Sequence, residues 1–207
     1  MSPDRSLSPG GNPSPLAPGA GLLVAVVGPS GAGKDTLIRL ALERLGIEPR
    51  LALARRVVTR PCDGQSEEHD SLDEAGFAQA EAEGAFCLSW RAHGLAYGLP
   101  TRIERQVDAG QIVLANLSRR ALGEAGARFG RLGIVEITAP PNVLVARIAA
   151  RGRETEADIR ARIARSAPLS PPPQTVSVLR IDNSGPAEQG ADALAAHLGA
   201  LLGRVLP

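Results

Sequence analysis

The stretch "LLVAVVGPSGAGKDTLIRLALERLG", Leu22 to Gly46, decides how the rest of the chain is read. Its first part, Leu22 to Gly28, is a short unbroken apolar run that ends in glycine. Such a run lacks the in–out alternation of a half-exposed strand and predicts a strand covered on both faces, as in a parallel sheet. From Lys34 onward, Leu37, Leu40, Ala41 and Leu45 recur at helical spacing, and Gly46 predicts the stop. Between strand and helix lies Gly28-x-x-x-x-Gly33-Lys34, which in that context predicts a phosphate-binding loop. Glycines let several backbone N–H groups turn inward on an anion, and the helix N-terminus adds partial positive charge.

Lys34 is the only lysine in 207 residues; every other basic side chain is arginine. A slim ammonium with three donors reaches into a narrow loop toward β- and γ-phosphates, where a planar guanidinium would impose its fork geometry. The excess of Arg and Ala fits a GC-rich coding bias, so the single lysine marks a place arginine does not serve. The expected cradle for the phosphates of a nucleotide and its Mg²⁺ is Gly28, Pro29, Ser30, Gly31, Ala32, Gly33, Lys34, Asp35 and Thr36. Such loops ordinarily place a Mg²⁺-binding hydroxyl after the lysine, and here that residue is Asp35. Three readings stay open: Asp35 serves the metal as a hard oxygen ligand, Thr36 supplies the hydroxyl instead, or Asp35 only favours the helix's first turn.

The bulk numbers bound the rest. The length suits one domain with a small inserted lobe, and 43% hydrophobic residues suffice for an ordinary core. A formal charge of +1 predicts no general attraction to nucleic acid or anionic membrane. Aromatics at 2% argue against a binder that stacks single-stranded bases. Two cysteines, Cys62 and Cys87, form neither a disulfide framework nor a metal spacing; both read as free thiols of a cytoplasmic protein. Residues 1–20, rich in Pro, Gly and Ser, read as a disordered tail without a signal peptide, and no apolar run approaches membrane-spanning length. Nothing in the sequence sets the oligomeric state.

Past the first helix an apolar stretch (51–58) precedes a polar loop (59–71), a short helix (73–83) and a strand at "AFCLSW". Helices at 101–109, 118–128 and 141–150 alternate with strands at 111–116 and 132–138. An arginine-rich segment (151–166), a proline linker (168–173), a last strand "TVSVLRIDN" and a closing helix (186–203) complete the chain. This alternation predicts an α/β fold with a parallel sheet covered by helices on both faces. Four of the five aromatics, Phe77, Phe86, Trp90 and Tyr97, fall in one short segment and predict a small lobe with its own packing.

On "GPSGAGKDTL", "VVTRP", "AYG" and "ARGRE" the chain resembles the guanylate-kinase-like P-loop family over roughly residues 22–185. Within it, "GKD", "TRP", "EEHDSL", "FCLSWRAHGLAYGLP" and "VLANLSR" look more like the ribose 1,5-bisphosphate phosphokinases of phosphonate breakdown than like guanylate kinases. The resemblance implies a P-loop kinase domain over 21–207, with an acceptor lobe at about 59–99 and an arginine lid at about 151–166. It also implies ATP-dependent transfer to ribose 1,5-bisphosphate, giving 5-phospho-ribose 1-diphosphate. The acceptor-phosphate clamp keeps Thr59, Arg60 and Tyr97, but its second arginine falls at Asp63 and a phosphate-holding tyrosine at His69. The carboxylates that read guanine in guanylate kinases fall at Ser89 and near Asn116. Without those acceptors a bound guanine would leave N–H donors unpaired, at a cost on the order of 1–3 kcal/mol each.

His69 and His93 are candidate acceptor ligands beside Arg60, Ser89, Tyr97 and Asn116. No histidine–carboxylate pair stands out as a general base, and none is needed where the attacking group is a phosphate with a second pKa of about 6. By the same resemblance Arg151 and Arg162 are catalytic lid residues closing over the transferring phosphoryl, and Asn183 contacts adenine. Two alternatives stay open: a guanylate or other nucleoside monophosphate kinase, and a non-catalytic binding module of the same fold.

Overall fold

The computed structural model describes residues 16, 20–60, 69–92, 94–150, 159–160, 163 and 168–203. In chain order the elements begin with β1 (Leu22–Val27), α1 (Lys34–Leu45), β2 (Leu51–Leu53), β3 (Arg56–Val58), β4 (His69–Ser71) and α2 (Glu74–Ala82). They continue with β5 (Phe86–Ala92), β6 (Leu95–Pro100), α3 (Arg102–Asp108), β7 (Ile112–Asn116), a 3-10 turn (Arg119–Ala121) and α4 (Leu122–Phe129). The chain closes with β8 (Leu132–Thr138), α5 (Pro141–Ala149), β9 (Thr175–Asp182) and α6 (Ala187–Leu201).

Five strands form the main sheet in the order β2-β7-β1-β8-β9, each neighbouring pair parallel. The unbroken apolar run becomes its central strand, and every residue of β1 is buried. Leu22, Val24 and Val26 pack with Leu37, Ile38, Ala41, Leu194 and Leu198 of α1 and α6. Leu23, Ala25 and Val27 pack on the other face with Ile103, Val107, Leu122 and Ala125 of α3 and α4. Both faces are thus covered, as a parallel sheet requires. No helix among the described residues is long and apolar enough to cross a membrane.

The second sheet has the order β4-β3-β6-β5, with β3–β4 parallel and the other pairs antiparallel. Val57, Phe77 and Ala96 join α2 to one face of it, with Phe86 stacked on Phe77. Leu88, Trp90 and Leu99, from the other face, enter the same core as Val27. That second face therefore looks toward the main sheet.

The structure departs from the sequence expectation at three places. The apolar stretch 51–58 is two strands in two sheets, because the chain steps from β7 to β6 at Ala54–Arg55. Part of the expected loop 59–71 is β4, whose His69 is 2% exposed against Arg56. The segment 95–100, given no strand in the sequence reading, is β6, folded back on β5 through Gly94 at φ 75°. Cys87 is a buried free thiol, and burial pushes its pKa up; Cys62 lies outside the described residues.

His197, on α6, is buried, and its burial pushes the imidazole pKa down from 6.5 to about 4. The native state keeps it neutral where the unfolded chain would bind a proton. This contribution to stability is complete above pH 6.5 and is lost as pH falls toward about 4. Between those limits the loss is about 1.4 kcal/mol per pH unit. Urea unfolding of wild type and His197→Gln at pH 7 and pH 4.5 checks this. The mutant is expected to show the flatter pH dependence, and parallel curves would remove His197 as the cause.

Candidate active site

The loop from Gly28 to Gly33 leaves β1 at its C-terminal end, where the chain order reverses: β1 leads to β2 at one edge of the sheet and its neighbour β8 leads to β9 at the other. Crevices at such reversals of strand order are where open α/β sheets bind ligands. At Gly28 the backbone runs at φ 152°, and an added Cβ would stand 2.1 Å from the Ile137 carbonyl oxygen. Gly33 is left-handed at φ 85° and caps α1 without a side chain, so the first turn of the helix opens onto the loop. That is the arrangement an anion requires. Lys34 donates from Nζ to the carbonyls of Gly28 at 3.1 Å and Pro29 at 3.2 Å, which folds the ammonium over the loop's own rim.

Asn183 lies beneath the loop. It is 3% exposed, and its amide donates to the Ala32 carbonyl at 2.8 Å while its backbone N–H donates to Thr138. A Cβ on Gly33 would meet its Nδ2 at 2.5 Å, so glycine and asparagine fit one another. The sequence reading set Asn183 against adenine; the structure gives its amide the loop itself as partner. Asp35 accepts from Asn116 Nδ2 at 2.9 Å, joining the first turn of α1 to the tip of β7. Thr36 is exposed, whereas Asp35 is half-buried, which makes Asp35 the better fit of the two for a cation held between loop and sheet. Among the described residues no group of three His, Cys, Asp or Glu side chains forms a ready metal cage.

The second sheet gathers the acceptor-side residues. Val58 pairs with Tyr97, and Arg56 pairs with His69. The two-residue period puts Arg56 and Val58 on one face of β3 with Tyr97 and His69, and Arg60 follows in the bend beyond the strand. Trp90 stacks on Tyr97 with ring centroids 5.3 Å apart, and the Arg56 guanidinium lies 5.6 Å from the Tyr97 centroid. Thr59 continues the ladder: its N–H donates to the Ala96 carbonyl, and its hydroxyl accepts from the Ala96 N–H.

Ser89 is not brought to this face. It pairs with Gly98, and its hydroxyl donates to Glu81 of α2 on the opposite side. The Arg91 guanidinium and the Ser89 hydroxyl hold the Glu81 carboxyl below the usual carboxylate range. His93, Arg151 and Arg162 lie outside the described residues, as does the assigned lid except for positions 159, 160 and 163. Ile159 packs on Val145 and Ile148 of α5.

Two residues escaped the sequence reading. Glu136 is a buried carboxylate on β8, in register with Val27, paired to Arg119 at 3.0 Å and Arg180 at 3.2 Å. Its signal was a lone charge inside the apolar run "LGIVEIT". Arg56 was hidden because arginine is common throughout this chain.

Loop, lysine and parallel sheet define a P-loop phosphotransferase of the guanylate-kinase-like fold. A guanylate kinase from Anaplasma phagocytophilum superposes with a TM-score of 0.62, covering 88% of this chain and 86% of that one at 18% identity, a likeness of fold alone. No family model matches the chain. The ribose 1,5-bisphosphate phosphokinase PhnN of Methylobacterium radiotolerans is 49% identical over 178 residues, covering 86% of this chain and 97% of that protein. The protein of the same name from Agrobacterium fabrum is 44% identical over 172 residues, covering 83% and 93%. The chain belongs to the ribose 1,5-bisphosphate phosphokinase family.

Proposed function

We propose that this chain transfers the γ-phosphoryl group of ATP to the 1-phosphate of ribose 1,5-bisphosphate, giving 5-phospho-ribose 1-diphosphate and ADP. The observation that carries the reading is 49% identity across nearly the whole of a relative bearing that enzyme's name. An oxygen of the acceptor's 1-phosphate forms the new bond to γ-phosphorus. The bond to the β–γ bridging oxygen breaks, and its electron pair leaves with ADP. Because the attacking phosphate is ionised near neutral pH, no side chain has to remove a proton. Catalysis then consists of positioning and of neutralising charge.

The chain's own residues divide that work. Loop N–H groups between Gly28 and Thr36 hold the nucleotide phosphates, and Asn183 fixes the loop's course through Ala32. Lys34 exchanges the Gly28 and Pro29 carbonyls for the β- and γ-phosphate oxygens. Arg60, Tyr97 and His69 hold the acceptor's reacting phosphate, and Arg151 and Arg162 close over the transferring group. Asp35, oriented by Asn116, would hold a Mg²⁺ ion, which when bound would supply charge neutralisation to the phosphates. The setting we infer is the cytoplasm, where ATP is supplied and Cys87 stays reduced.

The test incubates the protein with ATP and Mg²⁺, offers ribose 1,5-bisphosphate or GMP in parallel, and measures ADP. Turnover with the bisphosphate alone supports the reading; turnover with GMP alone overturns it. Asp35→Ala is expected to raise the Mg²⁺ concentration giving half-maximal rate by about 10-fold. An unchanged Mg²⁺ titration would take Asp35 out of the metal site.

A further inference from the structure

Arg119 follows β7, Glu136 stands on β8, and Arg180 is the residue in register with Glu136 on β9. Because β1 lies between β7 and β8, the Arg119 side chain crosses the end of β1 to bring its Nη2 within 3.0 Å of the Glu136 carboxylate. That crossing bridges strands about 10 Å apart and takes a long side chain. Glu136 is in register with Val27, the last residue of β1, and the next residue of β8, Ile137, is the one on which Gly28 packs. Val27 shares its core with Leu88 and Trp90 of the second sheet. Register partners in neighbouring strands point to the same face, so the ion pair lies on the side of β1 that looks toward the second sheet. It stands at the residue from which the phosphate loop departs.

Two guanidiniums share this one carboxylate, Arg119 at 3.0 Å and Arg180 at 3.2 Å, which leaves one positive charge in excess. The Arg180 side chain is 62% exposed and water serves its charge, whereas that of Arg119 is 19% exposed. Glu136 takes only Nη2 of Arg119; Nε is a buried donor without an acceptor among the described residues. A stranded N–H is rare in native proteins and calls for a specific cause. We propose that Arg119 is a further catalytic residue whose unused N–H groups bind oxygens of the phosphoryl group passing from loop to acceptor, with Glu136 as the positioning residue that holds the guanidinium over the end of β1. This assignment rests on the phosphoryl transfer proposed above and adds a cation fixed to the main sheet. Two anions have to approach there, the nucleotide's terminal phosphate and the acceptor's phosphate. A cation oriented before either arrives lowers their repulsion without reorganising during the reaction. Arg119 makes and breaks no bond; it neutralises charge.

The test follows single-turnover ADP formation by the full chain with ATP, Mg²⁺ and a phosphate acceptor, comparing Arg119→Gln with Arg180→Gln. Each variant removes one partner of Glu136 and leaves the other, so an ion pair of purely structural use loses the same thing in both. Arg119→Gln is expected to slow transfer about 10²-fold while the half-saturating ATP concentration moves less than about 3-fold, as for loss of one preorganised donor. Arg180→Gln should stay within about 3-fold of wild type, because an exposed ion pair contributes little. Glu136→Gln, which keeps an acceptor oxygen but loses the charge, should slow transfer about 10-fold by letting the guanidinium drift. Added to Arg119→Gln it should slow transfer no further, because it acts through Arg119. Arg119→Lys keeps charge but not the fork, should be about 10-fold slower than wild type, and carries the test if the glutamine variant does not melt cooperatively. An Arg119 variant as fast as Arg180→Gln overturns the catalytic role, and a Glu136→Gln loss that adds in full to Arg119→Gln overturns the positioning role. The two readings fail separately, since ribose 1,5-bisphosphate and GMP both attack through a phosphate. A wild type active on GMP alone refutes the proposed function and still tests Arg119 with GMP; an active wild type indifferent to Arg119→Gln refutes only Arg119. A wild type that transfers to neither overturns both.

Discussion

Lys34→Ala is expected to lower phosphoryl transfer about 10³-fold, the upper range for removing one preorganised donor from a developing negative charge. The expectation follows from what the ammonium can reach. Its Nζ already sits within 3.2 Å of two loop carbonyls, so it occupies the rim of the cradle before any nucleotide arrives. Moving to the phosphates replaces two neutral acceptors with anionic oxygens, and the interaction strengthens as charge moves to the leaving oxygen. Folding should change little, because the half-buried hydrogen bonds from Lys34 to the Gly28 and Pro29 carbonyls are worth about 1 kcal/mol each. Lys34→Arg should not rescue, since the guanidinium fork does not fit a loop built for a point charge. Single-turnover ADP release, with thermal melts as a folding control, makes the comparison. A folded Lys34→Ala protein that turns over ATP at the wild-type rate would remove the loop from the mechanism.

Gly28→Ala is expected to cost about 3 kcal/mol of stability and to weaken nucleotide binding together with it. The obstacle is backbone. The new Cβ would lie 2.1 Å from the Ile137 carbonyl oxygen, on a strand paired to β1 on one side and to β9 on the other. Neither side chain rotation nor a small loop shift relieves that contact, and φ 152° is a conformation L-residues rarely adopt. Any relaxation must come from the loop itself, which would turn its N–H groups away from the anion. Urea unfolding and binding of a fluorescent ATP analogue measure the two effects. A Gly28→Ala protein with wild-type unfolding midpoint and nucleotide affinity would show that the loop is not held by this packing.

Lys34 was legible because an isolated lysine after a glycine pattern is a local signal, and because the flanking strand and helix announce themselves by unbroken and 3.6-residue apolar spacing. The acceptor side was less legible. Ser89 and Tyr97 both looked like site residues, yet they point to opposite faces of the second sheet. A register shift between Phe86 and Leu88 and the turn at Gly94 set which residues oppose one another, and Ser89 falls opposite Gly98 while Trp90 falls opposite Tyr97. A change of one residue in register exchanges the faces of a whole strand, and no local spacing reports it.

The strand–loop–helix and the lysine at its rim could be read from spacing within a few residues along the chain, and the parallel α/β class from the alternation of strands and helices. It took the packed fold to show that Asn183 props the loop from 151 positions away, that Asn116 meets Asp35, and that Arg56 alone among the described arginines is buried, beside Tyr97. Those facts depend on strand register and on which face each side chain takes, quantities fixed by the packing of distant segments rather than by any residue's neighbours in sequence.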